Sequence, residues 1–184
     1  MQRLFIASFL ALLASLAPAS AQLANENLLL TVPPGYKIDF QEKEPGRLIS
    51  EMVPEGQTVH NWTEMLTVEI FYNLKATPTE FVDRLAQLWI NACPGGSSKS
   101  VASGLENGYP AGLWILACAK NPGTGMPEIT WVKAVQGNDS FYVVQKAFKF
   151  DPSKDQIAWW TKYLRSVAVC DPRVPGRACP QAKN

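Results

Sequence analysis

Two stretches of this chain carry a helical period, and each opens on strong start chemistry. In the first, Thr77 is placed to cap, Pro78 suits the first helical position, and Glu80 completes a Thr-x-x-Glu capping box. Phe81, Leu85, Leu88, Trp89 and Ala92 then recur at i, i+4, i+7, i+8 and i+11, which predicts one buried stripe. Asp83, Arg84, Gln87 and Asn91 fall on the wet side, and Pro94 with the following glycines ends the helix. In the second, Asp151 is predicted to cap and Pro152 to start, with Ile157, Trp160, Leu164 and Val167 as the buried face. Lys162 and Arg165 suit the negative end of its dipole.

The remaining chain alternates with period two. Strands are predicted over residues 27–32, 37–41, 47–53 and 63–72 before the first helix, and over 97–106, 113–120, 128–136 and 140–150 after it. In the fourth, Leu66, Val68, Ile70 and Tyr72 point one way and Thr67, Glu69 and Phe71 the other. Residues 113–120 are nearly all apolar, which predicts a central strand covered on both faces. The Gly-Asn-Asp link at 137–139 predicts a hairpin. Strands apolar on both faces need cover on both sides. Four strands, a helix, four strands and a helix thus predict an α+β fold, an antiparallel sheet between two helices in an α/β/α sandwich.

That order of elements, over about residues 27–168, resembles the PsbP-like proteins, which include accessory subunits of the photosynthetic oxygen-evolving complex. "NWTEMLTV" followed by a helix beginning "TPTEF" is also similar to small exported proteins of Gram-negative bacteria. The resemblance implies a binding or assembly-assisting role without chemistry.

Residues 1–21 read as a signal peptide: Arg3, an apolar run, and the small-residue ending "APASA". The run is short for a spanning helix, so no stable membrane anchor is expected. Residues 22–170 are expected to form one globular domain and 171–184 a proline-rich tail. Removing Arg3 with the leader leaves 16 basic against 16 acidic residues, a balance that argues against nucleic acid. An even cysteine count in an exported chain reads as disulfides. Of the three pairings open to four cysteines, Cys93–Cys118 and Cys170–Cys179 join neighbours along the chain and are preferred. A metal site is not expected, because no CxxC spacing exists and His60 is the only histidine.

The candidate binding site is His60, Asn61, Trp62 and Glu64, a polar patch with an aromatic platform for a cationic or peptidic group. The plainer alternative has Trp62 capping the core edge and Glu64 pairing with a lysine on a neighbouring strand. Trp159 adjoins Trp160 on a helix, about 100° away, and must point elsewhere, so it is a second contact candidate. No catalytic residue stands out: there is no G-x-S-x-G elbow, the thiols are expected oxidised, and "NPGTGMP" lacks the lysine of a phosphate loop. No cofactor is expected. The chain is therefore expected to be a monomeric, periplasmic or secreted, non-enzymatic binding or assembly protein for another envelope or secreted component. The alternatives are a secreted hydrolase using carboxylates and a carrier of an apolar small molecule.

Overall fold

The computed structural model describes residues 24–179. The expected leader, residues 1–21, lies outside the described residues, as does the last part of the expected tail.

Eleven elements follow in chain order: β1 (Asn27–Leu29), β2 (Tyr36–Glu44), β3 (Arg47–Pro54), β4 (Glu64–Tyr72), α1 (Pro78–Ala92), β5 (Ser97–Glu106), β6 (Tyr109–Cys118), β7 (Glu128–Gln136), β8 (Ser140–Phe148), α2 (Lys154–Ser166) and β9 (Ala168–Cys170). Seven strands form one antiparallel sheet in the order β2-β3-β4-β8-β7-β6-β5. The expected sandwich is present, with one helix on each face. On one face, Val82 and Ala86 of α1 pack with Trp114, Leu116, Val132, Ala134, Phe141 and Val143. On the other, Trp160 and Leu164 of α2 pack with Met52, Leu66, Val68, Trp131, Val144 and Phe148.

Several predicted details are corrected. The first predicted strand is only Asn27–Leu29 and does not join the large sheet; it pairs with β9, which the sequence reading did not contain. This two-stranded ribbon contributes Val169 and Leu28 to a third cluster, over Tyr109, Ala111, Val135 and Tyr142. The apolar strand β6 is not central, because β5 alone separates it from the sheet edge, and the middle position belongs to β8. β6 also starts earlier than predicted. Asn107 and Gly108, both with positive φ (48° and 76°), complete the β5–β6 turn by themselves.

The α1 cap is as predicted: Thr77 and Glu80 exchange both bonds of a capping box. Its buried positions are Pro78, Val82 and Ala86, while Leu88 is 67% exposed. α1 lies across β5, β6 and β7, with Val82 and Ala86 in one cluster with Trp114, while Phe81, Leu85 and Trp89 pack partly buried at its side. The cap of α2 is Ser153, not Asp151, with Gln156 as its reciprocal partner. A Ser-x-x-Gln box satisfies two orphan N–H groups where Asp-Pro would satisfy one. Ile157, expected buried, is 36% exposed.

Cys93 is bonded to Cys118 and Cys170 to Cys179. The first disulfide joins the end of α1 to β6, beside the bond from Trp89 Nε1 to the Ala117 carbonyl (3.1 Å). Trp114, 5% exposed, folds back along its own strand, so that a Cβ at Gly112 would overlap the Cη2 and Cζ3 atoms of its indole. Gly112→Ala is therefore expected to lower stability by about 1–3 kcal/mol in urea unfolding; an unchanged midpoint would show the ring free to move aside.

Candidate functional site

The structure separates residues that stand side by side in the sequence. His60 and Asn61 are exposed in a turn closed by the bonds Asn61 N to Thr58 O (3.0 Å) and Thr58 N to Asn61 O (3.2 Å). This turn is held to the sheet edge. β2 carries an irregularity between Ile38 and Phe40, and there the Asp39 carboxylate accepts the Val59 N–H at 2.8 Å and pairs with Lys37. These bonds hold the Asp39 carboxyl below the usual range, the Lys37 bond most of all. Trp62 lies outside β4, half-buried, and its ring face carries the Lys149 ammonium 3.7 Å from the centroid. The cation over this platform is thus the chain's own.

Glu64 turns inward. As the first residue of β4 it sits opposite Phe148 of β8, on the face covered by α2. Its Oε2 accepts from Tyr36 OH (2.7 Å) and from Lys146 Nζ (2.8 Å), while Lys146 also donates to Tyr36 OH (2.6 Å). The Lys146 side chain is fully buried among Trp160, Phe148 and Tyr36, with its ammonium 4.1, 4.3 and 4.9 Å from the three ring centroids. Burial pulls the Lys146 pKa down to about 8, against the opposing pull of Glu64. Burial, then the Glu64 bond, raises the Tyr36 hydroxyl well above its ordinary value. Three rings, a carboxylate and a phenol fill the coordination of this lysine. A cluster of this kind orders the core around it.

A second buried lysine, Lys133, donates to the Leu164 and Val167 carbonyls at 3.0 and 2.7 Å and pairs with Glu106. It satisfies the orphan carbonyls at the C-terminal end of α2. Neither lysine was read from the sequence as a working residue. The signal existed: Lys133 falls between Trp131 and Val135, and Lys146 between Val144 and Phe148, each on a buried parity.

The cluster reaches the surface through α2. Trp160 meets Trp159 edge-on, with centroids 4.7 Å apart and planes at 79°. Trp159 is 45% exposed and stacks nearly parallel on Tyr163, at 5.6 Å and 10°. Tyr163 OH donates to the Thr31 carbonyl at 2.7 Å. Glu64 and Trp159, far apart in sequence, thus belong to one chain of contacts through Lys146 and Trp160.

On the opposite face Arg47 and Gln145 bond the Glu69 carboxylate. Burial first, then the Glu69 charge, raises the nearby Glu51 carboxyl. This is where two carboxylates, Glu51 and Glu69, stand close enough for one charge to act on the other. Among the described residues, no group of three or more His, Cys, Asp or Glu side chains stands together to hold a metal ion. No described helix is long and apolar enough to cross a membrane.

No protein-family model matches the sequence. No curated protein matches it as a relative. Solved structures similar in fold include a cyanobacterial PsbP from Synechocystis, at 13% identity over 84% of this chain and 95% of that one, with a TM-score of 0.45. They also include LpqN of Mycobacterium tuberculosis, described as involved in cell envelope biogenesis, at 9% identity over 81% and 86%, with a TM-score of 0.43. The Ran-binding protein Mog1p of Saccharomyces cerevisiae matches at 13% identity over 78% and 87%, with a TM-score of 0.42. PsbP is the family whose element order this chain resembles. All three scores lie below 0.5, so the architecture rests on this chain's own strand order and helix packing.

Proposed function

We propose that this chain is an exported accessory protein that works by binding another envelope or secreted protein, with the Trp159–Tyr163 stack on α2 as its contact surface. One observation carries the reading: a tryptophan nearly half exposed is already held on two sides, by Tyr163 beneath it and Trp160 at its edge, and Tyr163 is itself tied to the Thr31 carbonyl. An immobilised side chain costs about 0.5–1.5 kcal/mol when ordering happens on binding. Here that cost is met within the fold, and exposed tryptophan is the residue type richest in interface hot spots. Export is supported by the leader-like residues 1–21 and by two disulfides, which persist in oxidising compartments.

Asn61 and His60 form a second exposed contact beside Trp62, whose ring is shielded on one face by Lys149. The hydrolase alternative is better placed on Glu51 and Glu69 than on Glu64, because Glu64 is committed to Lys146 and Tyr36. Glu69 is itself committed to Arg47 and Gln145, which favours binding over catalysis.

The test is cross-linking in the native cell with the wild-type chain, Trp159→Ala and Trp62→Ala. Trp159→Ala is expected to lose the wild-type cross-linked partner while its unfolding midpoint stays near wild type. Retention of that partner by Trp159→Ala would overturn the reading. So would turnover of a glycan or peptide panel that disappears in Glu51→Gln.

A further inference from the structure

α2 covers only part of its face of the sheet. Beside it, over β2, β3 and β4, lies a cleft of about 260 Å³. Leu28, Leu30 and Val32 form one wall; Ile38, Leu48, Met52, Val68 and Ile70 form the floor and the far side. The lining holds no charged and no aromatic side chain. Two polar residues touch it. Gln41 is exposed at the rim, and Ser50 is 4% exposed, its Oγ buried without a hydrogen-bond partner among the described residues.

We propose that this cleft binds a short aliphatic chain carrying a neutral oxygen group, with Ser50 as the residue that recognises the oxygen. The inference stands beside the contact-surface reading and does not depend on it. Three observations fix the class of ligand. An unpaired buried hydroxyl costs about 1–3 kcal/mol, which a ligand oxygen offsets by supplying the missing partner. A carboxylate or an ammonium would enter without a counter-charge and pay the full desolvation cost. The volume lies below the 300–1,000 Å³ of drug-sized pockets, and walls of branched aliphatic side chains offer a flexible chain contact without ring-stacking. A protein interface needs roughly 800 Å² from each partner, far more than this cleft presents.

One wall of the cleft is joined to α2. The segment through Leu30 and Val32 is tied by the Thr31 carbonyl to Tyr163, under Trp159. A ligand that parts the segment from the floor therefore acts on a residue bonded to the aromatic stack.

The experiment uses the mature chain, labelled at methionine and branched-chain methyls, titrated with 1-octanol and separately with octanoate at pH 8. Octanol is expected to shift the Met52, Val68 and Ile70 methyl signals in a saturable way, and octanoate to bind at least tenfold more weakly. Ser50→Ala is expected to weaken octanol binding about twofold to tenfold. Ile38→Lys, at a position 49% exposed and so tolerant of a charge, is expected to abolish it; Val32→Lys, at 45%, is the second variant. The proposal is overturned if octanol leaves these methyls unmoved, or if Ile38→Lys and Val32→Lys bind it as wild type does. Equal affinity in Ser50→Ala overturns the assignment of the hydroxyl. Methyl signals that move with a cross-linked protein partner and not with octanol would identify a protein side chain as the occupant and equally overturn the assignment.

Discussion

Glu64→Ala is expected to cost this protein about 3–5 kcal/mol of stability at neutral pH, more than any change at its surface. The substitution removes the carboxylate that accepts from both Lys146 and Tyr36 and leaves an ammonium fully enclosed by three rings. Breaking a buried pair from one side costs far more than the pair contributes, because the surviving charge keeps its desolvation penalty. The double change Glu64→Leu with Lys146→Met removes both charges and is expected to lie within about 2 kcal/mol of wild type. Denaturant unfolding of the three proteins decides between this account and one in which Glu64 is a surface residue, for which Glu64→Ala would cost under about 1 kcal/mol.

The same pair sets a pH dependence. Lys146 titrates near 8 in the folded chain and at the ordinary 10.5 when unfolded. Between those values the unfolded chain binds the extra proton, so this lysine's contribution to stability rises with pH across that window. Below pH 8 both states are protonated and the penalty is fully present. Lys146→Met is expected to flatten the rise, with urea midpoints measured from pH 7 to 10.5 as the check.

Replacing Cys93 and Cys118 together by alanine is expected to cost about 3.5 kcal/mol in the chain-entropy model, for a closed loop spanning 25 residues. The Cys170–Cys179 loop spans 9, and its loss is expected to cost about 2.5 kcal/mol. The larger bond also anchors the end of α1 to β6, next to Trp89, so its removal is expected to loosen that corner first. Hydrogen exchange at residues 89–97 reads this directly, and unaltered protection there would restrict the bond's effect to the unfolded chain.

Local chemistry in this sequence was legible and distant pairing was not. The Thr77–Glu80 box starts α1 because both partners lie within one turn, and four residues suffice to see it. The Ser153–Gln156 box was equally visible, but Asp151-Pro152 upstream offered a rival cap. The α1 stripe was read to one side of its centre: Phe81, Leu85 and Trp89 pack against the core partly buried, while Val82 and Ala86, left out of the stripe, are the residues buried with Trp114. Nothing local shows that β4 pairs with β8, and that pairing gives Glu64 its lysine. The sequence left Glu64 between two readings, a patch with Trp62 or a pair with a lysine on a neighbouring strand; the structure has the second, with Lys146 of β8, and Trp159 is exposed as expected.

The ribbon of β1 and β9 has a consequence for how the chain is completed. Asn27–Leu29 pair with Ala168–Cys170, and Glu26 accepts the N–H groups of Asn138, Asp139 and Ser140. Residues 26–29 are thus held by partners far along the chain, at 138–140 and 168–170. Without this ribbon Tyr109, Val135 and Tyr142 would lose the cover that Val169 and Leu28 give them, so one short pairing of distant segments seals the third cluster.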